Sequence, residues 1–238
     1  MVSVWRHKLL VVRPDVWGGI CATVQQDVND AATQAIVQDW MIKGWPVICR
    51  RPYAHEQNAE DGDGIVVGLP LPPIMGKKRL GFVVPEKAVS SFAGAMWPCG
   101  ELSSVGLTPE RLNDIKLLTE LGRAYGLVPQ ATGGLLWETI TGLPYLSETS
   151  DFDVVWRVAG SKLQNADILA AFLADLAQIA GTLSVRLDGE IIFPQDRAVQ
   201  WQELQSARSD EEVLVKTLTS IELMSVRDLT GSLRKVPA

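Results

Sequence analysis

The sequence predicts an α+β protein in two domains, the C-terminal one a mixed sheet flanked by helices. Three observations lead there. Short alternating apolar runs and longer helical patterns interleave along the chain instead of segregating into halves. A stretch rich in Gly, Pro and Ser, from Ser90 to Leu107, interrupts that alternation. With 238 residues, 47% of them hydrophobic, the chain has enough apolar side chain for one or two compact cores. The expected division is an N-terminal α/β domain over 1–90, a linker over 91–107 and a second domain over 108–238.

In the first domain a strand is expected at Leu9 to Arg13, then a helix from Asp30 to Lys43. Asp30 can cap that helix and Gly44 can end it. Strand Pro46 to Arg50 follows, then an acidic loop from Glu56 to Gly64, then strands Ile65 to Leu69 and Arg79 to Val84.

The second domain opens on a helix with clear end signals. Thr108 is the cap, Pro109 occupies the first turn, Leu112, Ile115, Leu118 and Leu121 share a face, and Gly126 terminates it. Val128 to Thr132 reads as a short strand, Gly133-Gly134 as a tight turn, and Leu135 to Thr141 as a helix stopped at Gly142-Leu143-Pro144. A carboxylate-bearing strand comes next, then a helix from Asn165 to Ala180 ended by Gly181. Strands are expected around Leu183 to Leu187 and Glu190 to Phe193, with further structure from Val199 to Leu233. No internal repeat or low-complexity tract is evident.

The chemistry concentrates between Gly133 and Trp156. On a strand Asp151 and Asp153 project from one face, leaving Phe152, Val154, Trp156 and Val158 for the core. Two adjacent carboxylates repel unless a cation neutralises them, and a divalent metal does so. Hard cations roughly 4 Å apart can bridge phosphate oxygens and stabilise a departing pyrophosphate. Gly133 and Gly134 complement this, since backbone N–H groups at a helix start can meet phosphate unobstructed by side chains. A second Asp-x-Asp, Asp61 and Asp63, has interleaved glycines and no apolar alternation, so it reads as a solvated loop.

Composition narrows the function classes. A net charge of −6 argues against nucleic acid as the main partner. Cys21, Cys49 and Cys99 are odd in number and widely spaced, which argues against a disulfide framework and reads as incidental thiols. His7 and His55 alone support neither a histidine metal site nor a Ser-His-Asp triad. No apolar run reaches the roughly 18 residues of a membrane span. Met1 to Arg13 lacks a signal peptide's apolar region and cleavage site, so the expected compartment is the cytoplasm. The basic cluster Lys77-Lys78-Arg79, with Arg50-Arg51 upstream, is either a solvated face or a surface that meets a triphosphate or an acidic protein. Trp137 and Trp201 fall beside the carboxylates in sequence; they read as core, with stacking on an adenine as the alternative.

The strand, glycine turn, helix and Asp-x-Asp order resembles the polymerase-beta type nucleotidyltransferase fold. Two features depart from it: Gly134 stands where Ser is common, and the gap from Gly134 to Asp151 is longer than usual. The chain is more similar to the phosphoribosyl-dephospho-CoA transferases, the holo-acyl-carrier-protein synthases of malonate decarboxylase. Trp137, Thr141-Gly142, Tyr145 and Ser150-Asp151-Phe152-Asp153 match that family's long gap. Further landmarks follow in order: Arg6-His7-Lys8, Trp45-Pro46-Val47, Gly68-Leu69-Pro70, Gly76-Lys77-Lys78-Arg79, Arg186 with Asp188-Gly189-Glu190, and Ala198-Val199-Gln200-Trp201.

This resemblance implies a reaction in which a carrier-protein serine attacks the alpha-phosphate of triphosphoribosyl-dephospho-CoA and pyrophosphate leaves. It implies Mg2+ or Mn2+ on Asp151 and Asp153, and substrate phosphates at Gly133, Gly134 and Arg186, with Lys77, Lys78 and Arg79 as further binding candidates. The implied partners are the malonate decarboxylase acyl carrier protein and triphosphoribosyl-dephospho-CoA. A third carboxylate is expected by the same analogy, at Asp188 with Glu190 behind it; the competing reading takes Asp188-Gly189 as a hairpin turn. Lys216 is a further phosphate candidate. Two other functions keep this sequence pattern: a nucleotidyltransferase with a small-molecule acceptor, and a non-catalytic binding module.

Overall fold

A computed structural model describes residues 4–27, 30–53, 64–94, 107–158, 161–163 and 165–235. The chain forms two units, Met1–Gly94 and Ala95–Ala238. Asp61, Asp63, His55, Cys99 and most of the Gly/Pro/Ser-rich stretch lie outside the described residues.

The first unit is built on a five-stranded antiparallel sheet of β1 (Leu9–Val12), β2 (Val47–Cys49), β3 (Gly64–Pro70), β4 (Arg79–Pro85) and β5 (Val89–Ser91), in the order β4-β3-β2-β1-β5. Two helices accompany it, α1 (Pro14–Asp27) and α2 (Ala31–Asp39). Sequence reasoning left α1 out, because Gly18 and Gly19 sit in its middle where glycine disfavours helix. Burial overrides that preference: Trp17, Ile20 and Cys21 form an i, i+3, i+4 stripe, with Trp17 edge-on to Phe82 at 5.5 Å. Asp30 caps α2 through the Thr33 N–H at 2.8 Å, as its sequence predicts. The helix stops at Asp39, not Lys43, because Trp40 buries its ring completely and donates its indole N–H to Pro46 O, drawing the chain into turns that close at Gly44.

The second unit carries a six-stranded mixed sheet, in the order β11-β10-β9-β8-β7-β6. Its strands are β6 (Pro129–Ala131), β7 (Phe152–Arg157), β8 (Leu187–Phe193), β9 (Arg197–Gln200), β10 (Glu212–Lys216) and β11 (Ile221–Ser225). Its helices are α3 (Pro109–Tyr125), α4 (Gly133–Thr141), α5 (Ala166–Ala180), α6 (Trp201–Ser206) and α7 (Val226–Gly231). β7 and β8 run parallel with α5 as their crossover, and every other neighbouring pair is antiparallel. The α+β class, the two-domain organisation and the helix-flanked mixed sheet are therefore those the sequence predicts.

Core formation explains which side of this sheet stays chemically open. Phe152, Val154 and Trp156 are all buried, and Trp156 packs edge-on to Phe172 of α5 at 5.3 Å. α3 approaches the same side: a Cβ on Gly122 would lie 3.1 Å from the Trp156 ring and only 2.7 Å from the Leu127 carbonyl oxygen, a space that glycine alone fits without a shift. The alternate residues of β7 and β8, Asp153, Asp188 and Glu190 among them, belong to the other side. There, Val155, Ile192 and Ala198 form a small apolar cluster beside the polar groups.

Four expectations are corrected here. Leu112 does not join the buried face of α3 and is 47% exposed; Arg111 and Asp114 are buried instead. Gly133-Gly134 is not a turn preceding a helix but the first turn of α4 itself. No strand spans Leu183 to Leu187. Asp188-Gly189 is not a hairpin turn either: β8 runs straight through it. The local turn preference yields because Gly189 lets β8 lie against β7; a Cβ there would sit 2.9 Å from the Val154 carbonyl carbon and closer still to its oxygen.

Candidate active site

Parallel pairing of β7 and β8 sets Asp153 opposite Asp188 in register. Each is the second residue of its strand, so both carboxylates issue from the same end and side of the sheet. Asp188 Oδ1 accepts the Gly189 N–H at 2.8 Å and lies 3.5 Å from Gln200 Nε2. These donors restrict the side chain's rotation.

The start of α4 faces Asp153. Thr132 N–H donates to Asp153 O at 2.8 Å, tying the helix entry to the strand. Gly133 then turns with φ 56°, and a Cβ on it would sit 2.7 Å from Asp153 Cγ. Only a hydrogen fits between the helix start and that carboxylate. The Thr132 side chain makes no capping hydrogen bond, so the N–H groups of the first turn keep their capacity to bind an anion. Gly134 is less constrained, its nearest would-be contact being the Leu146 Cδ2 methyl at 3.1 Å.

Asp151 precedes β7 and Arg186 precedes β8, and the two join at the strand mouths. Arg186 Nη2 donates to Asp151 Oδ2 at 2.5 Å, with side chains 70% and 33% exposed. That hydrogen bond holds the Asp151 carboxyl below its ordinary range, against partial burial and helped by the guanidinium charge. The same bond holds Arg186 above its ordinary range, and the charges of Asp188 and Asp153 act in the same direction. Asp151 is thus the direct partner of the cation.

Glu190 lies two residues beyond Asp188, largely buried, with Lys216 Nζ 3.5 Å from its Oε1. Lys216 is therefore joined to an acid rather than standing as a separate cation. Trp137 and Trp201 are both buried, and Trp201 donates its indole N–H to Leu187 O, so the core reading holds for both and the adenine-stacking alternative does not. Lys77, Lys78 and Arg79 belong to the first unit, at the exposed turn that opens β4. Lys77 adopts φ 53°, and Lys78 Nζ is 3.8 Å from Asp30.

Among the described residues no group of three or more His, Cys, Asp or Glu is drawn together as a metal cage. The donor chemistry of Asp151 and Asp153, carboxylate oxygen in both, nevertheless suits a hard divalent cation. No helix among the described residues is long and apolar enough to cross a membrane.

Three further polar residues matter here that sequence reasoning missed. Glu138 Oε2 accepts the N–H groups of Tyr145 and Leu146 at 2.9 and 2.8 Å. Arg111 Nη2 donates to the carbonyls of Ser147, Glu148 and Ser150, and Asp114 Oδ2 accepts from Ser184. A charged residue on a buried helix stripe is the only sequence signal they give, and it is a weak one.

Comparison with known proteins places the chain in a family. Residues 5–95 match the N-terminal domain of phosphoribosyl-dephospho-CoA transferase MdcG, and residues 102–227 match its C-terminal domain. A phosphoribosyl-dephospho-CoA transferase of Bradyrhizobium diazoefficiens is 30% identical over 231 residues, 95% of this chain and 94% of the relative. One from Xanthomonas euvesicatoria is 28% identical, covering 92% of this chain and 93% of its own length. No solved structure matches the chain. Matched in both domains and along almost its whole length, the chain is a transferase that belongs to the phosphoribosyl-dephospho-CoA transferase family.

Proposed function

We propose that the protein transfers the phosphoribosyl-dephospho-CoA group from triphosphoribosyl-dephospho-CoA to a serine of the malonate decarboxylase acyl carrier protein. The serine oxygen forms a bond to the alpha-phosphorus, the bond from that phosphorus to the bridging oxygen breaks, and pyrophosphate leaves with the electron pair. The observation that supports this reading best is the register pairing of Asp153 with Asp188 beside the glycine start of α4.

In this mechanism the N–H groups of Gly133 and Gly134 bind triphosphate oxygens. Arg186, exposed at the strand mouth, exchanges Asp151 for a phosphate oxygen when substrate arrives, as a guanidinium can hold either anion through paired hydrogen bonds. Asp188 accepts the serine proton. Asp151 and Asp153 would hold Mg2+ or Mn2+, which supplies charge neutralisation for the triphosphate when bound. The first domain, with Lys77, Lys78 and Arg79 on its surface, recognises the carrier protein or the CoA moiety, either of which carries anionic groups that long-range attraction would favour. We assign the reaction to the cytoplasm.

Intact-mass spectrometry of the apo carrier subunit tests this after incubation with the protein, magnesium and triphosphoribosyl-dephospho-CoA. The expected result is a mass gain equal to the phosphoribosyl-dephospho-CoA group, absent with Asp151→Asn/Asp153→Asn. An unmodified carrier, with pyrophosphate released onto a small acceptor or not at all, would overturn the proposal.

A further inference from the structure

Asp151 and Arg186 both lie just outside the strands they precede, so β-sheet hydrogen bonding alone does not set their positions. Irregular chain leads to each of them, 143–150 on one side and 181–186 on the other. Both segments are tied to one turn of α3. Arg111 Nη2 donates to Ser147 O at 2.6 Å, Glu148 O at 3.2 Å and Ser150 O at 3.1 Å. Three residues on, Asp114 Oδ2 accepts the Ser184 N–H at 3.0 Å and its hydroxyl at 2.5 Å. Residues at i and i+3 share a helix face.

We propose that Arg111 and Asp114 are positioning residues for the transfer reaction, fixing how far apart Asp151 and Arg186 stand and so where the triphosphate sits. The inference rests on the function proposed above. Arg111 holds three consecutive-turn carbonyls on one nitrogen, and its guanidinium lies 5.5 Å from the Phe152 ring centroid, directly beneath the start of β7. Its other terminal nitrogen, Nη1, is buried without a hydrogen-bond partner among the described residues. A buried charge that leaves an N–H unmet is a poor device for stability, and a methionine of similar volume would pack there without that cost. What a methionine cannot do is gather the loop. The circuit closes where the Phe152 N–H donates to Arg186 O at 2.9 Å, joining the two clamped segments.

The test compares Arg111→Met and Asp114→Leu, which remove the anchors, with Arg111→Lys and Asp114→Asn, which keep a cation and an acceptor. Two readouts are taken on the full chain: kcat and KM for carrier modification by intact mass, and amide hydrogen exchange at Ser150 and Ser184. We expect kcat to fall about 10²-fold in the first pair with KM for the carrier little changed, the size associated with an error of about 1 Å in a reacting group. Exchange should quicken at those two segments while α5 and β8 keep their protection, and the conservative pair should recover most of both. Wild-type kcat in Arg111→Met and Asp114→Leu, or losses that track global unfolding with the core exchanging equally fast, would overturn the assignment. Should Arg111→Met not fold, the contrast of Asp114→Leu with Asp114→Asn decides. If the wild-type protein leaves the carrier unmodified, the proposed reaction fails; the clamp is then judged by exchange alone, and unchanged protection in the first pair refutes it.

Discussion

Replacing Gly133 by alanine adds one methyl group at the narrowest point of the site. That carbon would stand 2.7 Å from Asp153 Cγ and 3.1 Å from Asp153 Cβ, with the carboxylate oxygen nearer still. Non-bonded carbons rest at about 3.5–4.0 Å, so Asp153 or the start of α4 must move by about 1 Å. The backbone there has φ 56°, and an L-residue in that region carries a further penalty of about 1–2 kcal/mol. Asp153 cannot yield along its strand, because β7 is held in register by β6 and β8. The side chain must rotate away from Asp188, or the helix start must lift and take its N–H groups with it. Either change misplaces a phosphate-binding group by about the distance that costs roughly 10²-fold in rate. The control is Gly134→Ser, whose Cβ would meet the flexible end of Leu146 at 3.1 Å and the Tyr145 carbonyl oxygen at an ordinary 3.5 Å. Initial rates of carrier modification, followed by intact mass, should fall about 10²-fold for Gly133→Ala. Gly134→Ser should stay within about threefold of wild type, a difference of under 1 kcal/mol in the barrier. Equal rates for Gly133→Ala and wild type would show that the Gly133 to Asp153 approach has no part in the reaction.

Asp188→Asn keeps the strand and the shape of the side chain but removes the base, so single-turnover transfer should slow by about 10²–10⁴-fold with unfolding temperature unchanged; undiminished turnover would remove Asp188 from the chemistry. The Asp151–Arg186 pair predicts a pH effect of defined sign. Because the folded-state pKa of Asp151 is depressed, the pair's stabilisation is present above the ordinary carboxylate pKa and is lost as pH falls through the depressed value. The difference in unfolding midpoint between wild type and Arg186→Gln should therefore shrink on acidification and stay flat from neutral pH upward; a gap that widens in acid contradicts the assignment. Burial pushes the Cys49 thiol up to about 12, so peptide mapping after iodoacetamide treatment at pH 8 should find Cys49 unmodified in the folded protein and labelled after denaturation.

Local signals in the sequence carried much of the fold. Asp30, Thr108 and Asn165 all cap helices through side-chain acceptors, and Gly126 ends α3 in the left-handed region, each where its residue type predicts. Local chemistry decides such ends, so a single chain suffices to read them. The errors fall where distant residues decide. Asp188-Gly189 is a good hairpin turn until β7 lies alongside it, and nothing nearby in sequence announces that neighbour. Leu112 obeys helical periodicity, yet α3 turns Arg111 and Asp114 inward because the segments at Ser147 to Ser150 and at Ser184 need partners. α1 went unread because its two central glycines mask a stripe whose value lies in Phe82 and Val37. For the candidate site, the residue types and the glycine start were legible, while the neighbour relation between Asp153 and Asp188 was not.

The parallel join of β7 and β8 also bears on when the site can come into existence. Asp151 and Arg186 are 35 positions apart, and Asp153 and Asp188 have the same spacing, with the whole of α5 between them. A growing chain that has emerged only as far as α5 holds half of each pair, and the glycine start of α4 without Arg186 or Asp188 beside it. Closing a loop of that length must precede any reward from the strand contact, which costs more chain entropy than closing the β10–β11 hairpin. Truncated or nicked copies lacking β8 would therefore be silent rather than partly active.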